Sequence, residues 1–338
     1  MSYRRHKHLH RKDVIRAGIA VVLILILLIG GGLALRSWEN RKFATGSDES
    51  GDEVIAGSQE LKELTYNGDT YVQRADLETY LLMGVDKSGE AVSNESYEGG
   101  GQADVQMVLV VDDANKTWQV LQINRDTITD VPVRGVQGQV IGYETEQIAL
   151  AYYYGDGREK SCENTELAVS NLLEGQNIDG YISVRMDGVG ILTDLVGGVT
   201  LTVTSDFSKV DPTLVEGETV TLTGDKALTY VRSRYDVDDE TNIARMARQR
   251  QFLTALEIKL QQQDAEFAAK AYDALSDYMV TDIGSKTVSN VADKMKQYTQ
   301  LDLLTIDGSN VVEDEHWAYH LDEDSRMQTI LQLFYKKV

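Results

Sequence analysis

The 338-residue sequence has a single cysteine, Cys162, and only two prolines, so no disulfide can form within the chain. It contains no P-loop, no Gly-x-Ser-x-Gly elbow and no Cys/His spacing suited to zinc. The usual signatures of a nucleotide-phosphate loop, a serine hydrolase and a structural zinc module are therefore excluded. Three of the five histidines lie in the first ten residues, and the other two, His316 and His320, lack further ligands at metal spacing and read as part of the fold. No internal repeat is visible. Cys162, flanked by Ser161 and Glu163, reads as an incidental thiol in a loop.

Positive charge is also scarce. Lys and Arg number 33 against 54 Asp and Glu, a formal net charge of -21. The deficit is uneven: residues 1–42 hold nine Lys/Arg and two Asp/Glu, leaving 24 against 52 in the remainder, a formal -28. So acidic a surface argues against nucleic acid as a partner and against lying flat on anionic lipid.

Against that background two features stand out. The first is Ala17 to Leu35, nineteen residues without a charge, preceded by Arg4, Arg5, Lys7, Arg11, Lys12 and Arg16. At about 1.5 Å of rise per residue this run can cross a bilayer core, and the flanking cations place the N-terminus in the cytoplasm. A cleaved signal peptide is the competing reading, but the run exceeds the usual apolar length and Leu33-Ala34-Leu35-Arg36 is a poor cleavage site. The expected organisation is a cytoplasmic tail (1–16), one transmembrane signal-anchor helix (17–36), a flexible acidic linker (37–60) and an extracellular domain (61–338). Such a protein would sit as a single-pass protein in a bacterial cell membrane, a setting that the absence of disulfides suits better than a secreted eukaryotic one.

The second feature is a cluster of five arginines within nineteen residues, Arg232, Arg234, Arg245, Arg248 and Arg250. Arg presents an always-charged planar fork suited to phosphate oxygens, so an anion site is one reading; a solvated helix face with acidic neighbours is the other. On a helix, Arg245, Arg248 and Gln249 fall at i, i+3 and i+4 and share a face.

Apolar patterning predicts strands near Glu78–Val85, Val105–Val111, Trp118–Ile123 and Val199–Val203, with shorter ones near Leu303–Ile306 and Trp317–His320. Helices are predicted over Thr165–Glu174, Met186–Leu195, Gly224–Arg232, Ile243–Gln263, Ala265–Tyr278, Val288–Tyr298 and Ser325–Tyr335. Interleaved strands and helices argue for an α/β fold, a layered α-β-α domain whose central mixed sheet is flanked by helices. The polar segment Lys87–Gln102, with Gly99-Gly100-Gly101, is a long loop of the kind that more often carries function. Asp86 closes one predicted strand, Asp104 opens the next and Asn124-Arg125-Asp126 follows the third, so one rim would gather acid, acid and Arg-Asp. Those carboxylates suit either Mg²⁺ or ordinary strand-end turn chemistry.

The ordered set resembles the LytR-CpsA-Psr family of bacterial cell-envelope proteins. The matching pieces are Leu82-Met83-Gly84-Val85-Asp86, Ala103-Asp104, Arg125-Asp126-Thr127, Ala149-Leu-Ala-Tyr-Tyr-Tyr-Gly155, Asp194-Leu-Val-Gly-Gly-Val199, Leu222 to Arg234 and Arg245-x-x-Arg248-Gln249. The resemblance implies a Mg²⁺-dependent phosphotransferase that moves a glycopolymer, of teichoic acid or capsule type, from undecaprenyl-pyrophosphate to peptidoglycan during cell wall biogenesis. It implies Asp86 and Asp104 as the metal ligands. Arg125, Arg232, Arg234 and Arg245 would then be catalytic and, with Arg248 and Gln249, would bind the pyrophosphate. The sequence departs from the family pattern at Gln102, Asn124, Asn242, Ala244, Lys87-Ser88 and Gln147, which keeps open a non-catalytic protein that binds or senses the polyprenyl-pyrophosphate carrier.

Overall fold

Three apolar runs build the centre of the structure, a computed structural model that describes residues 62–338 apart from 95, 96, 98, 234, 238–241, 261, 264, 314 and 315. Among the described residues no helix is long and apolar enough to cross a membrane. The expected tail, anchor and linker at 1–60 lie outside them.

The described chain begins with a hairpin of β1 (Glu63–Tyr66) and β2 (Asp69–Gln73), followed by β3 (Leu77–Val85), β4 (Ala103–Asp112) and β5 (Thr117–Ile123). A second hairpin, β6 (Ile128–Arg134) and β7 (Val140–Gln147), leads to α1 (Leu150–Tyr153), α2 (Glu159–Leu172), β8 (Gly180–Arg185) and α3 (Asp187–Leu195). Next come β9 (Val199–Thr202), β10 (Thr219–Leu222), α4 (Gly224–Arg232), α5 (Asn242–Leu260) and α6 (Ala265–Leu275). The remainder is β11 (Met279–Thr281), α7 (Ser285–Gln297), β12 (Thr299–Gln300), β13 (Leu304–Thr305), the hairpin β14 (Gly308–Glu313) and β15 (His316–Leu321), α8 (Glu323–Phe334) and β16 (Tyr335–Lys337).

The central sheet has the order β11-β8-β3-β4-β5-β12, with β13 also on β5. It is mixed, because β3 runs parallel to β8 and antiparallel to β4, as the sequence predicts for the α/β class. Alternation along β3 and β4 separates two cores. Tyr80, Leu82, Met107, Leu109 and Val111 meet Phe252 and Leu256 of α5 and Val288 of α7 on one face. Leu81, Met83, Val85, Val108 and Val110 share the other with Tyr152, Val169 of α2 and Ile330 of α8. Covering both faces explains why these strands read as near-continuous apolar runs.

Two sequence expectations change. The helix expected from Thr165 begins at Glu159, because its first turns are anchored by polar bonds rather than apolar period: Ser161 Oγ donates to Tyr152 O at 2.6 Å and Asn164 Nδ2 to Tyr154 O at 3.1 Å. Cys162 is thus buried on α2 and not in a loop. The strand expected near Trp317–His320 is β15, but its partner β14 and the β6–β7 hairpin, which lie outside the central sheet, carry too little apolar alternation to be read from sequence.

Leu109 is 1% exposed at mid-sheet, so Leu109→Ala is expected to lower stability by about 3 kcal/mol, read as a shift of the urea midpoint. Burial, then the charges of Asp282 and Glu163, raise the Glu166 carboxyl to about 7. The folded protein therefore holds this proton more firmly than the unfolded chain, and stability falls as pH rises from 4.5 towards 7. Glu166→Gln should raise Tm at pH 8 and leave it nearly unchanged at pH 4; equal Tm for both proteins at pH 8 would refute the assignment.

Candidate functional site

Register brings the ends of four neighbouring strands to one rim. Val85 of β3 pairs with Ala103 of β4 and with Arg185 of β8, while Gln106 of β4 pairs with Ile123 of β5. Because β4 is antiparallel to both β3 and β5, its first residues lie beside their last ones. Across the rim the chain therefore presents Arg185, Asp86, Asp104 and Arg125 in that order.

Backbone contacts fix Asp86. Its N–H donates to Gln102 O at 3.0 Å, and its Oδ1 accepts the Gln102 N–H at 2.6 Å. The return of the Lys87–Gln102 loop depends on Gly101, which has φ +100° and where a Cβ would stand 3.0 Å from Asp86 Oδ1 and 2.5 Å from Lys87 Cγ. Only glycine adopts that conformation without strain, so Gly101 sets how closely the loop approaches Asp86.

Asp104 is the electrostatic centre. Burial pushes its carboxyl above the usual carboxylate range; Arg125 pulls it down, Asp86 pushes it up again and Arg245 pulls it down. Asp126 also pushes it up, so three carboxylates and two guanidiniums share one field, joining β3, β4, the turn after β5 and α5. Arg125 Nη1 pairs with Asp104 Oδ1, its Nη2 donates to Gln102 Oε1, and its Nε lies 3.3 Å from Asp126 Oδ1. Asn124 closes the turn that presents Arg125, its Oδ1 accepting the Asp126 N–H at 3.0 Å. Gln147 Nε2 donates to Asp126 Oδ1 at 3.1 Å and fastens the other side.

The arginine cluster divides. Arg245, half-buried on α5, acts on Asp104. Arg232 ends α4 as an exposed residue, and Arg234 lies outside the described residues. Arg248, by contrast, is 1% exposed. Its Nε donates to Tyr230 O and its Nη1 to Ser205 Oγ, both at 3.3 Å, its Nη2 donates to Ser233 O, and the guanidinium sits 5.3 Å from the Phe207 ring centre. Gln249 Nε2 donates to Val231 O at 3.1 Å. Both side chains thus serve carbonyls that the end of α4 leaves without helical partners, which holds α5 against α4. The face expected to clamp phosphate as one unit is split: Arg245 reaches the rim's field, whereas Arg248 and Gln249 fix the helix that carries it.

Asp86 and Asp104 suit a hard divalent cation. Two carboxylates repel each other here, and among the described residues no group of three or more His, Cys, Asp or Glu side chains forms a closed metal cage. Mg²⁺ favours such a sparse set, completing its shell with water and phosphate oxygens. Arg185 was missed by sequence reasoning; the signal was a lone Arg at the end of the short strand Tyr-Ile-Ser-Val, a position it shares with Asp86.

A family model described as LytR_cpsA_psr matches residues 42–334. A Halalkalibacterium halodurans protein named polyisoprenyl-teichoic acid–peptidoglycan teichoic acid transferase TagU is 28% identical over 279 residues, covering 81% of each chain. The Bacillus subtilis protein of the same name is 26% identical over 253 residues, covering 75% of this chain and 72% of the other. Among solved structures, a Streptococcus agalactiae protein aligns with TM-score 0.59 at 24% identity, over 76% of this chain and 86% of that one. The crystal structure of B. subtilis TagV aligns with TM-score 0.56 at 24% identity, over 77% and 96%. The solved structures establish the likeness of fold.

Arg248→Lys keeps the charge but loses the planar fork, and is expected to destabilise the protein by about 2 kcal/mol or more, measured by urea denaturation. Arg232→Lys, at an exposed position, should shift the midpoint by less than about 0.5 kcal/mol. Equal effects at the two positions would contradict the positioning role of Arg248.

Proposed function

The chain belongs to the LytR-CpsA-Psr family, and from that premise we propose that it is a membrane-anchored phosphotransferase. It attaches a glycopolymer of teichoic acid or capsule type, carried on undecaprenyl-pyrophosphate, to peptidoglycan. The observation that carries this reading is the half-buried Asp104, paired with Arg125 and held in one field with Asp86 and Arg245. Phosphoryl transfer asks little covalent chemistry of a protein; it needs positioning and stabilisation of charge on phosphate oxygens.

Asp86 and Asp104 would hold Mg²⁺, which when bound neutralises the charge of the pyrophosphate oxygens. Arg125, Arg245 and Arg232, with Arg234, orient the pyrophosphate, while Arg248 and Gln249 keep α5 at its place on the rim. A peptidoglycan hydroxyl forms the new P–O bond to the glycan-bearing phosphorus as the bond to the lipid phosphate breaks, and polyprenyl phosphate departs. The apolar run 17–36, as a signal anchor, keeps the domain outside the membrane and close to this lipid donor.

Gln102 and Asn124 favour a second reading. Gln102 accepts from Arg125 and Asn124 shapes its turn, in positions where the family resemblance implies other residues. Binding without turnover is the corresponding function, a sensor of the carrier lipid.

Full-length protein in detergent, given a lipid-pyrophosphoryl glycan, peptidoglycan and Mg²⁺, should release polyprenyl phosphate. Arg125→Ala should slow that release by about 10²- to 10³-fold. If wild type binds the lipid but neither it nor Asn242→Asp releases phosphate with any of several polymers, the sensor reading replaces the transferase.

A further inference from the structure

Arg185 is the one rim residue whose charge the proposed site does not use. It ends β8 opposite Val85, so it stands one strand from Asp86 on the side away from Asp104 and Arg125. The residue is 7% exposed. Arg125, its counterpart across the rim, is fully engaged by Asp104, Gln102 and Asp126. Arg185 is not: its Nη2 makes one long contact, 3.4 Å to Gly157 O, and its buried Nε has no hydrogen-bond partner in the structure.

A guanidinium carries five N–H donors and cannot shed its charge. Taking it out of water with one weak bond to a neutral carbonyl is unfavourable, because charge and donors go uncompensated. Among the described residues, no carboxylate forms a salt bridge with Arg185. The Tyr152 hydroxyl donates to the same Gly157 O at 3.2 Å, and the charge of Arg185 is felt at Tyr152. The segment is held in place from both sides: Met186 N–H donates to Lys87 O at 3.2 Å, and Asp187 Oδ2 accepts the Gly89 N–H at 2.7 Å. The Lys87–Gln102 loop is thereby fastened beside Arg185, with Gly100 so close to Gly157 that a Cβ would lie 2.9 Å from its nitrogen. A cation with open donors, walled by glycine backbone and next to a carboxylate that suits a metal, matches a tetrahedral oxyanion.

We propose, resting on the reading of this rim as a pyrophosphate site, that Arg185 is a further oxyanion-binding residue, taking a phosphate oxygen from the Asp86 side while Arg125 and Arg245 act from the Asp104 side. The rim then carries cation, acid, acid, cation, and the two outer arginines bracket the phosphates that the inner carboxylates approach through a metal.

The test is calorimetric titration of the full-length protein in detergent with inorganic pyrophosphate and Mg²⁺, comparing wild type, Arg125→Met, Arg185→Met and Arg185→Lys. Arg185→Met is expected to weaken binding about tenfold, and Arg185→Lys less, since it keeps the charge without the fork. Unchanged affinity in a folded Arg185→Met, with Arg125→Met weakened, overturns the assignment of Arg185 and leaves the site standing. If wild type does not bind pyrophosphate, the site reading fails and this inference with it. Should Arg185→Met not fold, the wild-type Arg185 Nε–H resonance, identified by its loss in Arg185→Lys, decides: a downfield move on adding pyrophosphate supports the proposal and a static signal refutes it. Farnesyl pyrophosphate as a second probe should show the same loss, because Arg185 meets the phosphate; a loss confined to the prenyl probe would contradict an oxyanion role.

Discussion

A sheet buried on both faces lets charged side chains emerge only where its strands stop. That constraint organises this protein. Neither core of the central sheet tolerates an unpaired charge, so carboxylates and guanidiniums collect at the ends of β8, β3, β4 and β5. Alternating strand direction would usually scatter such ends between two edges. Here Asp86 follows the last residue of β3, Arg185 is the last residue of the parallel β8, and Asp104 lies among the first residues of the antiparallel strand between β3 and β5, so all fall on one side.

Partial burial at that rim sets the chemistry. Asp104 experiences enough desolvation to raise its proton affinity, yet Arg125 and Arg245 oppose the shift. Arg125 and Arg245 favour its ionised form, and any ligand that draws Arg125 away removes one of those cations. Under the proposed function, arginine contact with phosphate and divalent-cation binding by the carboxylates would be a single exchange of partners. Helix α5, which carries Arg245, is fastened by Arg248 and Gln249 to the carbonyls ending α4 and packed through Phe252 and Leu256 into the core.

Much of this was legible beforehand. The apolar runs that became β3, β4 and β5 identified the sheet, and Asp86, Asp104 and Arg125 were marked as residues of one rim from their places at strand ends. Helices α3, α4 and α8 followed from spacing and from glycine stops. Less legible were elements whose stability comes from distant partners: β6 and β7 pair only with each other, and the first turns of α2 depend on buried polar bonds of Ser161 and Asn164. Helical spacing placed Arg245 and Arg248 on one face, but could not tell that one would serve the rim and the other the end of α4, since that division depends on how two helices cross. Arg185 escaped notice because nothing near it in sequence repeats its charge.

The two ends of the described chain meet away from the rim. Strand β2 pairs with β1 on one side and with β16 on the other, and Arg74, just beyond β2, donates to Tyr335 O, Asp112 Oδ2 and Gln332 O, each at 3.0 Å. Mechanical tension entering through the residues before Lys62 is taken up first by this small sheet and by the Arg74 fork, which fasten to α8 and to the end of β4 remote from Asp104. A pull on the N-terminal side would thus reach the central sheet at the Asp112 end of β4, the length of that strand away from the charged rim at Asp104.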